Sequence, residues 1–500
     1  MSSIRRQSII SSLVIYTGFA IGIVNTYFFT RQGNFTTEEY GLTSLFMAVA
    51  TLLANFAMLA MPSFVYKFYH YYKDNLTPRK NDMMTWALLV GLFGFLLVMV
   101  GGFALKQLVI RKFGANSALL VEYYRWVFPF AAGMMIYTIL EAYAWNVGRS
   151  VITNYFREVQ WKLMTLVLIL LFVCRVIPDF DLFIKLYALI YLTIAASLLA
   201  YLMYKKEIHF TLTVSKVTRR FLKKILIFCL FIYGSTIINV LSQVFDQIVI
   251  ASVLPNGLDK AGEYGLAFLL TSIIQAPQRG IVSASITHLS KAWKEKNMGL
   301  LQRVYHRSSI NQLIFACGIF LLIWLNLREA IITFQLKEAY FSAIWVFFLL
   351  GLNKIVDMGT GVNAQIIATS NYWRFELTSG IILMIMFLPL TYFFAKAYGI
   401  IGPAIASLAS ITIYNIIRIV FLWKKFKLFP FTIQSVYTLL IAAGSYGITW
   451  LICRDLHGFW GLCIRSAIFL TLYLAVVVYA KLSPDIEPVW QTIRKRLGRK

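Results

Sequence analysis

The sequence predicts an all-α integral membrane protein with 14 transmembrane helices: two parallel six-helix bundles around a central cavity, followed by two further helices. Three observations predict this fold class. Apolar residues make up 59% of the 500 residues and charged residues 14%, whereas a soluble domain carries roughly 25% charged residues. Fourteen segments are apolar over about 20 residues, the length at which a helix crosses a bilayer. Several short motifs also recur in the same order in both halves.

The predicted membrane helices follow one another with short connections and leave no room for a soluble domain. The first predicted helix follows Arg5 and Arg6, and a signal peptide also begins with basic residues. The apolar run is too long for a signal peptide and lacks a small-residue cleavage site, so we expect the helix to be retained. In chain order the fourteen segments cover residues 9–30, 41–66, 83–105, 119–146, 158–175, 182–204, 222–252, 262–287, 309–327, 340–369, 375–396, 400–423, 431–452 and 461–480.

The internal repeat predicts the domain organisation. Three motifs occur twice: EYGL at 39–42 and 263–266, WVF at 126–128 and 345–347, and NY(F/W)R at 154–157 and 371–374. Each half contains six helices, an even number, so both halves insert the same way up and their pseudo-twofold axis follows the membrane normal. The predicted parts are an N-terminal lobe at 1–204, a polar linker at 205–221, a C-terminal lobe at 222–424, and two added helices with a basic tail at 425–500.

The repeated motifs are predicted to have structural roles. Both EYGL copies are expected to open the second helix of a lobe. Both NY(F/W)R copies are expected to lie in the turn before the fifth helix, where Asn caps the helix and the aromatic residue anchors at the membrane interface.

The charge pattern predicts the orientation. The net charge is +26, from 47 Lys and Arg against 21 Asp and Glu. The basic residues cluster in alternate connections, at 67–80, 205–224, 291–307 and 494–500. This pattern follows the positive-inside rule and places both termini in the cytoplasm. Topology and contact with anionic membrane lipids explain this charge, and no aromatic-basic module indicates a nucleic-acid partner.

Ionisable groups inside predicted membrane helices are the candidate functional residues, because each costs about 2.5–3.5 kcal/mol at a helix centre and so faces protein or water. Basic groups at several depths suggest a cationic cavity for an anionic substrate, since arginine matches phosphate oxygens with two hydrogen bonds. The predicted substrate-binding residues are Arg125, Arg279, Lys354 and Arg418, with the polar neighbours Asn25, Asn55 and Asn363. The alternative is that these side chains pair with one another or with neighbouring helices and bind no substrate. Lys354 and Asp357, three residues apart, can pair, and each Asn can bond a neighbouring helix.

Acidic residues in the same helices are candidates for binding a coupling proton or cation. These are Asp246, Asp357 and Glu141, and the sequence does not rank them. The five cysteines show no CxxC spacing and the five histidines no HExxH motif, so we expect no metal site and no cofactor.

The chain resembles bacterial polysaccharide (O-antigen type, Wzx-like) flippases of the multidrug/oligosaccharidyl-lipid/polysaccharide exporter superfamily. The resemblance covers essentially the whole length, and the order and spacing of degenerate motifs carry it. These are residues 39–42, 246–250 leading to 262–265, 361–363 with 370–372, and the Gly-rich segment 398–406.

The resemblance implies a transporter, not an enzyme. It would move an undecaprenyl-diphosphate-linked oligosaccharide, such as an O-antigen repeat unit of lipopolysaccharide or a capsule unit, across the bacterial inner membrane by alternating access. A H⁺ or Na⁺ gradient would drive it, and glycan polymerase machinery would be a partner. Fourteen helices also suggest lipid II flippases, but Asn25 and Asn55 stand where the arginine pattern of those proteins is expected. A multidrug or cation antiporter of the same superfamily would favour an acidic cavity, and a membrane polymerase or ligase would need a long outer loop.

Overall fold

The computed structural model describes residues 3–372 and 374–485, except the side chains of 3–9, 11, 12, 279, 283, 284 and 287. The fold is 85% helical, without a strand in the described ranges. The helices are α1 Ser3–Thr30, α2 Thr37–Met58, α3 Met61–Asn75, α4 Met83–Ala104, α5 Lys106–Phe113, α6 Ala118–Glu122, α7 Val127–Asn146, α8 Ser150–Asn154, α9 Trp161–Val173, α10 Phe180–Tyr204, α11 Lys216–Val253, α12 Gly257–Lys294, α13 Met298–Thr333, α14 Ser342–Gly359, α15 Asn363–Thr369, α16 Arg374–Tyr398, α17 Ile401–Phe426, α18 Ile433–Cys453 and α19 Gly458–Tyr479. Three-residue and four-residue 3₁₀ turns lie at Pro78–Lys80, Tyr124–Trp126 and Glu338–Phe341, and a π-helical run lies at Tyr155–Gln160.

Twelve helices in the described part of the chain are long and apolar enough to cross a membrane. The protein is therefore a multi-pass membrane protein. Two predicted segments, 158–175 and 262–287, are helical but are not among the twelve. The first belongs to the helical run 150–173, which changes pitch at the π-helical residues. The second lies inside α12, where Gln275 and Gln278 interrupt the apolar sequence. The count of fourteen spans stays a prediction.

Contacts divide the chain into two compact units, Met1–Gly262 and Glu263–Lys500, with the boundary inside α12. The first unit includes α11, which the repeat assigns to the second lobe. The lobes predicted at 1–204 and 222–424, the linker 205–221 and the C-terminal part 425–500 stay a prediction. Each contact unit is described below by itself.

The core of unit 1 is built around α7, which packs against α2, α3 and α10. Phe130 and Tyr137 of α7 are fully buried, as is Phe183 of α10. The Phe130 ring stacks on Tyr187 with centroids 5.4 Å apart. Close side-chain packing of this kind is the main attraction between helices inside a membrane, where burial from water contributes little.

The segment between α10 and α11, which we call the connector (residues 205–215), is held at both ends to other parts of unit 1. Its first part is fixed by the Tyr143 hydroxyl, which donates to the Glu207 carbonyl at 2.7 Å. Its last residue, Ser215, donates its backbone N–H to the Asp82 carboxylate at 2.8 Å. Thr218 in the first turn of α11 donates to the same oxygen at 2.8 Å. The buried Asp82 therefore joins the loop before α4 to the start of α11.

Unit 2 packs α14 between α13 and α17, and α16 along α17. The last two helices, α18 and α19, pack on each other and on α13. Tyr473 of α19 is buried and donates its hydroxyl to the Ile314 carbonyl at 2.9 Å. Buried Arg465 donates to the carbonyls of Leu325, Cys453 and Leu456, at 3.3, 3.3 and 2.7 Å. These contacts tie both helices to α13.

The two EYGL copies differ in position. In the first, Glu39 accepts from the Thr36 N–H at 2.6 Å while the Thr36 hydroxyl accepts from the Glu39 N–H at 3.0 Å. This capping box begins α2, as predicted. The second copy does not open a helix, because α12 already begins at Gly257. The expectation was wrong for that copy. Glu263 instead accepts a hydrogen bond from Ser342 of α14.

The first NY(F/W)R copy is not a turn, and its Asn does not cap a helix. Asn154 has helical backbone angles, φ −60° and ψ −37°, and makes no capping hydrogen bond. The turn comes earlier, at Gly148, whose φ of +78° suits glycine. In the second copy residues 371–372 do form a turn between α15 and α16, and Trp373 lies outside the described residues. The prediction was therefore wrong for the first copy. For the second copy the turn is confirmed, and the capping role of Asn371 stays a prediction.

Candidate functional site

Four charged side chains form a chain of ion pairs in unit 1. Arg157 Nη1 lies 3.1 Å from Glu141 Oε2 of α7. Arg157 Nε lies 3.4 Å from Glu158 Oε1, and Glu158 Oε2 lies 3.1 Å from the Lys162 ammonium. We call these four residues the unit 1 charge cluster. It links α7 to the helical run 150–173.

The cluster is buried at its carboxylate end and open at its arginine. The Glu141 side chain is 6% exposed and the Arg157 side chain 34%. Glu141 Oε1 is buried without a hydrogen-bond partner among the described residues. A buried carboxylate needs a compensating charge or a proton, so Arg157 and the open Oε1 position offer Glu141 these two alternatives.

The π-helical run places Arg157 and Glu158 where they are. A π-helical turn rotates the side chains relative to a regular helix, and such turns are frequent at functional sites. Helix α1 packs directly on this run, since a Cβ added to Gly18 would lie 2.5 Å from the Glu158 carbonyl oxygen. Asn25 of α1 donates to the Lys162 carbonyl at 2.9 Å. The sequence analysis predicted Asn25 as a substrate ligand, with an interhelical hydrogen bond as the alternative. The structure shows that interhelical bond.

Two partly exposed aromatic rings of unit 1 pack against each other near the unit 1 charge cluster. Tyr66 and Trp145 are 42% and 41% exposed, with ring centroids 5.9 Å apart. Tyr66 lies within electrostatic range of both Glu141 and Arg157. Trp145 is fixed by a 2.8 Å hydrogen bond from its indole N–H to the Thr153 hydroxyl. Trp145 is thus held in place, and the Tyr66 ring packs against it.

In unit 2 a polar network surrounds Asp357. Asn415 of α17 donates to Asp357 Oδ1 at 3.2 Å, and Gln278 of α12 to Oδ2 at 3.5 Å. The Asn415 side-chain oxygen accepts from Asn363 at 2.8 Å and from the Thr360 hydroxyl at 3.1 Å. We call these five residues the unit 2 amide network.

The amide network brings together two of the predicted site residues, Asp357 and Asn363. It stabilises the charge of Asp357 with dipoles from two other helices, α12 and α17. Oxygen atoms from a carboxylate, amides and a hydroxyl are also the ligands that hard cations prefer. Lys354 lies half-buried one turn before Asp357 on α14.

Arg418 of α17 lies one turn beyond Asn415 and is buried, with a side chain 5% exposed. It pairs with Glu376 of α16, and its guanidinium carbon lies 3.8 Å from the Tyr414 ring centroid. Arg418 Nε and Glu376 Oε2 are both buried without hydrogen-bond partners in the described structure. The pair therefore keeps one donor and one acceptor unused.

The other predicted residues lie elsewhere. Arg125 is exposed in the 3₁₀ turn before α7. Asn55 donates to the Thr51 carbonyl of its own helix at 2.8 Å. Asp246 is buried in α11. The side chain of Arg279 lies outside the described residues. Arg125 and Asn55 belong to neither of the two polar groups above.

Sequence reasoning missed several residues of the charge cluster, of the amide network and of the surroundings of Arg418: Arg157, Glu158, Asn415, Glu376 and Tyr414. Arg157 was visible as the last residue of a repeated motif, but the motif was interpreted as a turn. Asn415 and Arg418 stand three apart, on one helix face, which was an available signal. Glu376 lies at the start of α16, where a carboxylate is common because it favours the helix dipole.

A groove of about 860 Å³ also opens in unit 2, against α13, α14, α18 and α19. Aromatic and basic residues line it, among them Trp324, Trp345, Trp450, Arg328 and Arg454. The rings of Trp324 and Trp345 lie 5.8 Å apart. Aromatic faces with guanidinium groups are a combination that binds sugars and anionic groups.

No protein-family model matches the sequence, and no curated protein matches it either. Similarity appears at the level of solved structures. The lipid II flippase MurJ, in an inward closed conformation, matches with a TM-score of 0.71 at 14% identity, over 95% of this chain and 99% of MurJ.

Two other structures extend the comparison. An inward-facing multidrug resistance MATE transporter of the MOP superfamily matches with a TM-score of 0.65 at 15% identity, over 82% of this chain and 94% of that one. A MOP-superfamily transporter from Pyrococcus furiosus, described as having a binding pocket of reverse polarity, matches with a TM-score of 0.58 at 14% identity, over 84% and 95%. The chain therefore has the fold of MOP-superfamily transporters.

Proposed function

We propose that the protein flips an undecaprenyl-diphosphate-linked oligosaccharide, an O-antigen or capsule repeat unit, from the inner to the outer leaflet by alternating access. The observation that carries this proposal is a pair of arginines, one in each unit, each of them near a tyrosine. Arg157 lies near Tyr66, and Arg418 packs on Tyr414. Each arginine is held by a carboxylate, Glu141 or Glu376.

This arrangement suits a diphosphate-linked sugar. A guanidinium matches phosphate oxygens with two parallel hydrogen bonds, and it remains charged at any physiological pH. Aromatic rings pack on sugar faces, and Tyr and Trp add hydrogen bonds. The carboxylates keep the arginines neutralised until a phosphate displaces them.

The same exchange provides a route for coupling to a cation gradient. When a phosphate binds Arg157 in place of Glu141, the buried Glu141 carboxylate loses its counter-charge. A proton bound to Oε1 then compensates for that loss. Asp357 in the amide network is the corresponding candidate in unit 2, where a proton or a Na⁺ ion would change its hydrogen bonds. We thus propose that Glu141 and Asp357 couple transport to the cation gradient.

The fold comparison favours a lipid-linked substrate over a drug-like cation. The MATE structures match 82–85% of this chain, so 15–18% of it stays unmatched. MurJ, whose substrate is lipid II, matches 95%. Lipid II is therefore the second candidate substrate. Arg157 and Arg418 would attract an anionic group and so favour an anionic substrate over a cationic one.

The test in cells uses deletion and complementation. Cells that lack the protein should accumulate lipid-linked oligosaccharide on the cytoplasmic face and lose surface polysaccharide. Arg279→Ala and Lys354→Ala should each impair display while the folded protein remains at normal levels. Normal display in both variants would contradict the assignment of a cationic site to these residues. Export of cationic dyes by the unmodified protein would instead support an antiporter.

A further inference from the structure

Unit 1 contains a pocket that is separate from its charge cluster. It has a volume of about 350 Å³ and lies against α3, the loop 76–81, the end of α7 and connector residues 206–209. We call it the connector pocket. The charge pattern predicts that this side of the membrane is cytoplasmic.

The lining of the connector pocket carries excess positive charge. Lys73 of α3 and Lys206 of the connector contribute two ammonium groups. The carboxylate in the lining, Glu207, is paired with Arg149 through Oε1, which accepts from Nε at 2.9 Å and Nη2 at 2.6 Å, while Oε2 is buried without a hydrogen-bond partner among the described residues. The imidazole of His209 also lines the pocket. An anion is therefore the complementary ligand.

Neutral donors complete the pocket. The rings of Tyr69 and Tyr143 meet edge to face, 5.7 Å apart, and Lys73 Nζ lies 5.8 Å from the centre of the Tyr69 ring. Burial raises the pKa of Tyr69, with Glu207 adding to the effect, so its hydroxyl stays a donor. Asn81 accepts from the Met83 N–H through its side-chain oxygen at 3.1 Å, which leaves the amide NH₂ group for a ligand.

We propose that the connector pocket binds a phosphate ester, supplied either by the headgroup of a membrane lipid or by a small phosphorylated solute. Two lysines, a tyrosine hydroxyl and an amide can together bind the oxygens of one phosphate group. A pocket of about 350 Å³ is at the small end of the range for ligand sites, roughly 300–1,000 Å³. It accommodates a headgroup but not an oligosaccharide.

Bound phosphate would add a charged link between two elements of unit 1. Lys73 belongs to α3, whereas Lys206 belongs to the connector between α10 and α11. An anion held by both lysines would fasten the start of the connector to α3. The site thus controls how firmly the connector is held, whatever the transported substrate is.

The test measures thermal unfolding of the purified full-length protein with each source of phosphate, at constant ionic strength. The probes are inorganic phosphate, glycerol phosphate, and nanodiscs of phosphatidylglycerol compared with phosphatidylcholine. A ligand that binds only the folded protein raises Tm once its concentration exceeds its Kd. We expect a rise in Tm with at least one probe. A rise with soluble phosphates indicates a solute, and a rise with phosphatidylglycerol alone indicates a lipid headgroup.

The variants are Lys73→Gln with Lys206→Gln, and the matched control Lys223→Gln, an exposed lysine of α11 outside the pocket. The pocket variant should fold with an unchanged basal Tm, because both lysines are exposed, and should lose the stabilisation. The control should retain it. An equal rise in the pocket variant and the control, or no rise with any probe in the unmodified protein, would overturn the proposal.

Discussion

Arg157 Nη1 lies 3.1 Å from Glu141 Oε2, and this pair joins the π-helical run to α7. The carboxylate side of the pair is buried and the arginine side is partly exposed. A ligand can therefore reach Arg157 without first reaching Glu141. Such a pair can exchange a carboxylate for a phosphate on the arginine while the carboxylate stays out of water.

Removing Arg157 should cost more stability than neutralising Glu141. Arg157→Gln leaves a buried, uncompensated carboxylate, which costs up to about 3–5 kcal/mol, whereas Glu141→Gln leaves a neutral side chain of similar shape. The double variant should recover part of the loss. Thermal unfolding of the three variants in the same detergent checks this order. Strictly additive losses would show that the two residues are not coupled.

Arg418→Lys should reduce transport while the protein remains folded. Lysine keeps the charge beside Glu376. It lacks the planar guanidinium that forms two parallel hydrogen bonds and packs on the Tyr414 ring. The loss of one charge-assisted hydrogen bond, worth about 1.5–3 kcal/mol, predicts a transport rate that is lower on the order of tenfold or more. Transport rate per folded molecule is the measurement, with folding followed by gel filtration. An unchanged rate would remove Arg418 from the substrate site.

Asp357→Asn should abolish the dependence of transport on the cation gradient. Asparagine preserves the shape of the unit 2 amide network but removes the charge that binds a proton or Na⁺. The comparison is the transport rate with and without an imposed H⁺ or Na⁺ gradient. Asn55→Ala is the control, because Asn55 bonds its own helix. If Asp357→Asn retains the full gradient response, the coupling residue is one of the other two candidates, Glu141 or Asp246.

Gly41→Ala should lower the yield of folded protein. A Cβ at Gly41 would lie 1.8 Å from the Leu258 carbonyl oxygen and 3.1 Å from the Gly262 nitrogen, both of them backbone atoms. Backbone cannot move aside as a side chain can, so α2 and the start of α12 would separate. Gly101→Ala is the matched control, since nothing lies within 4 Å of its added Cβ. Equal yields of both variants would contradict this packing role for the EYGL motif.

The sequence was sufficient to predict a multi-pass, all-helical membrane protein, because the apolar runs depend on local composition. The unit 1 charge cluster, the unit 2 amide network and the Arg418–Glu376 pair were harder to predict. Arg418 was found as an ionisable residue in an apolar helix, but its partner Glu376 comes from another helix. Arg157 could not be placed, because its position depends on a π-helical run against α1 at Gly18. Such contacts join residues far apart in the chain, which single-sequence patterns do not report.

The predicted role of the Asn residues illustrates the same limit. Asn25, Asn55 and Asn363 look alike in the sequence, each a lone amide in an apolar segment. In the structure Asn25 joins two helices, Asn55 bonds its own helix, and Asn363 takes part in a network around Asp357. Only the partner distinguishes these roles, and the partner is set by tertiary packing.

The most direct measurement of the proposed function is the flipping of undecaprenyl-diphosphate-linked oligosaccharide in liposomes that contain the purified protein. Movement to the opposite leaflet is followed by accessibility of the sugar to a glycan-modifying reagent added outside. We predict gradient-dependent flipping that is faster than that of lipid II and is strongly reduced by Arg157→Gln with Arg418→Lys. Absence of flipping of this substrate, with the protein folded and a cationic dye transported instead, would contradict the proposed function.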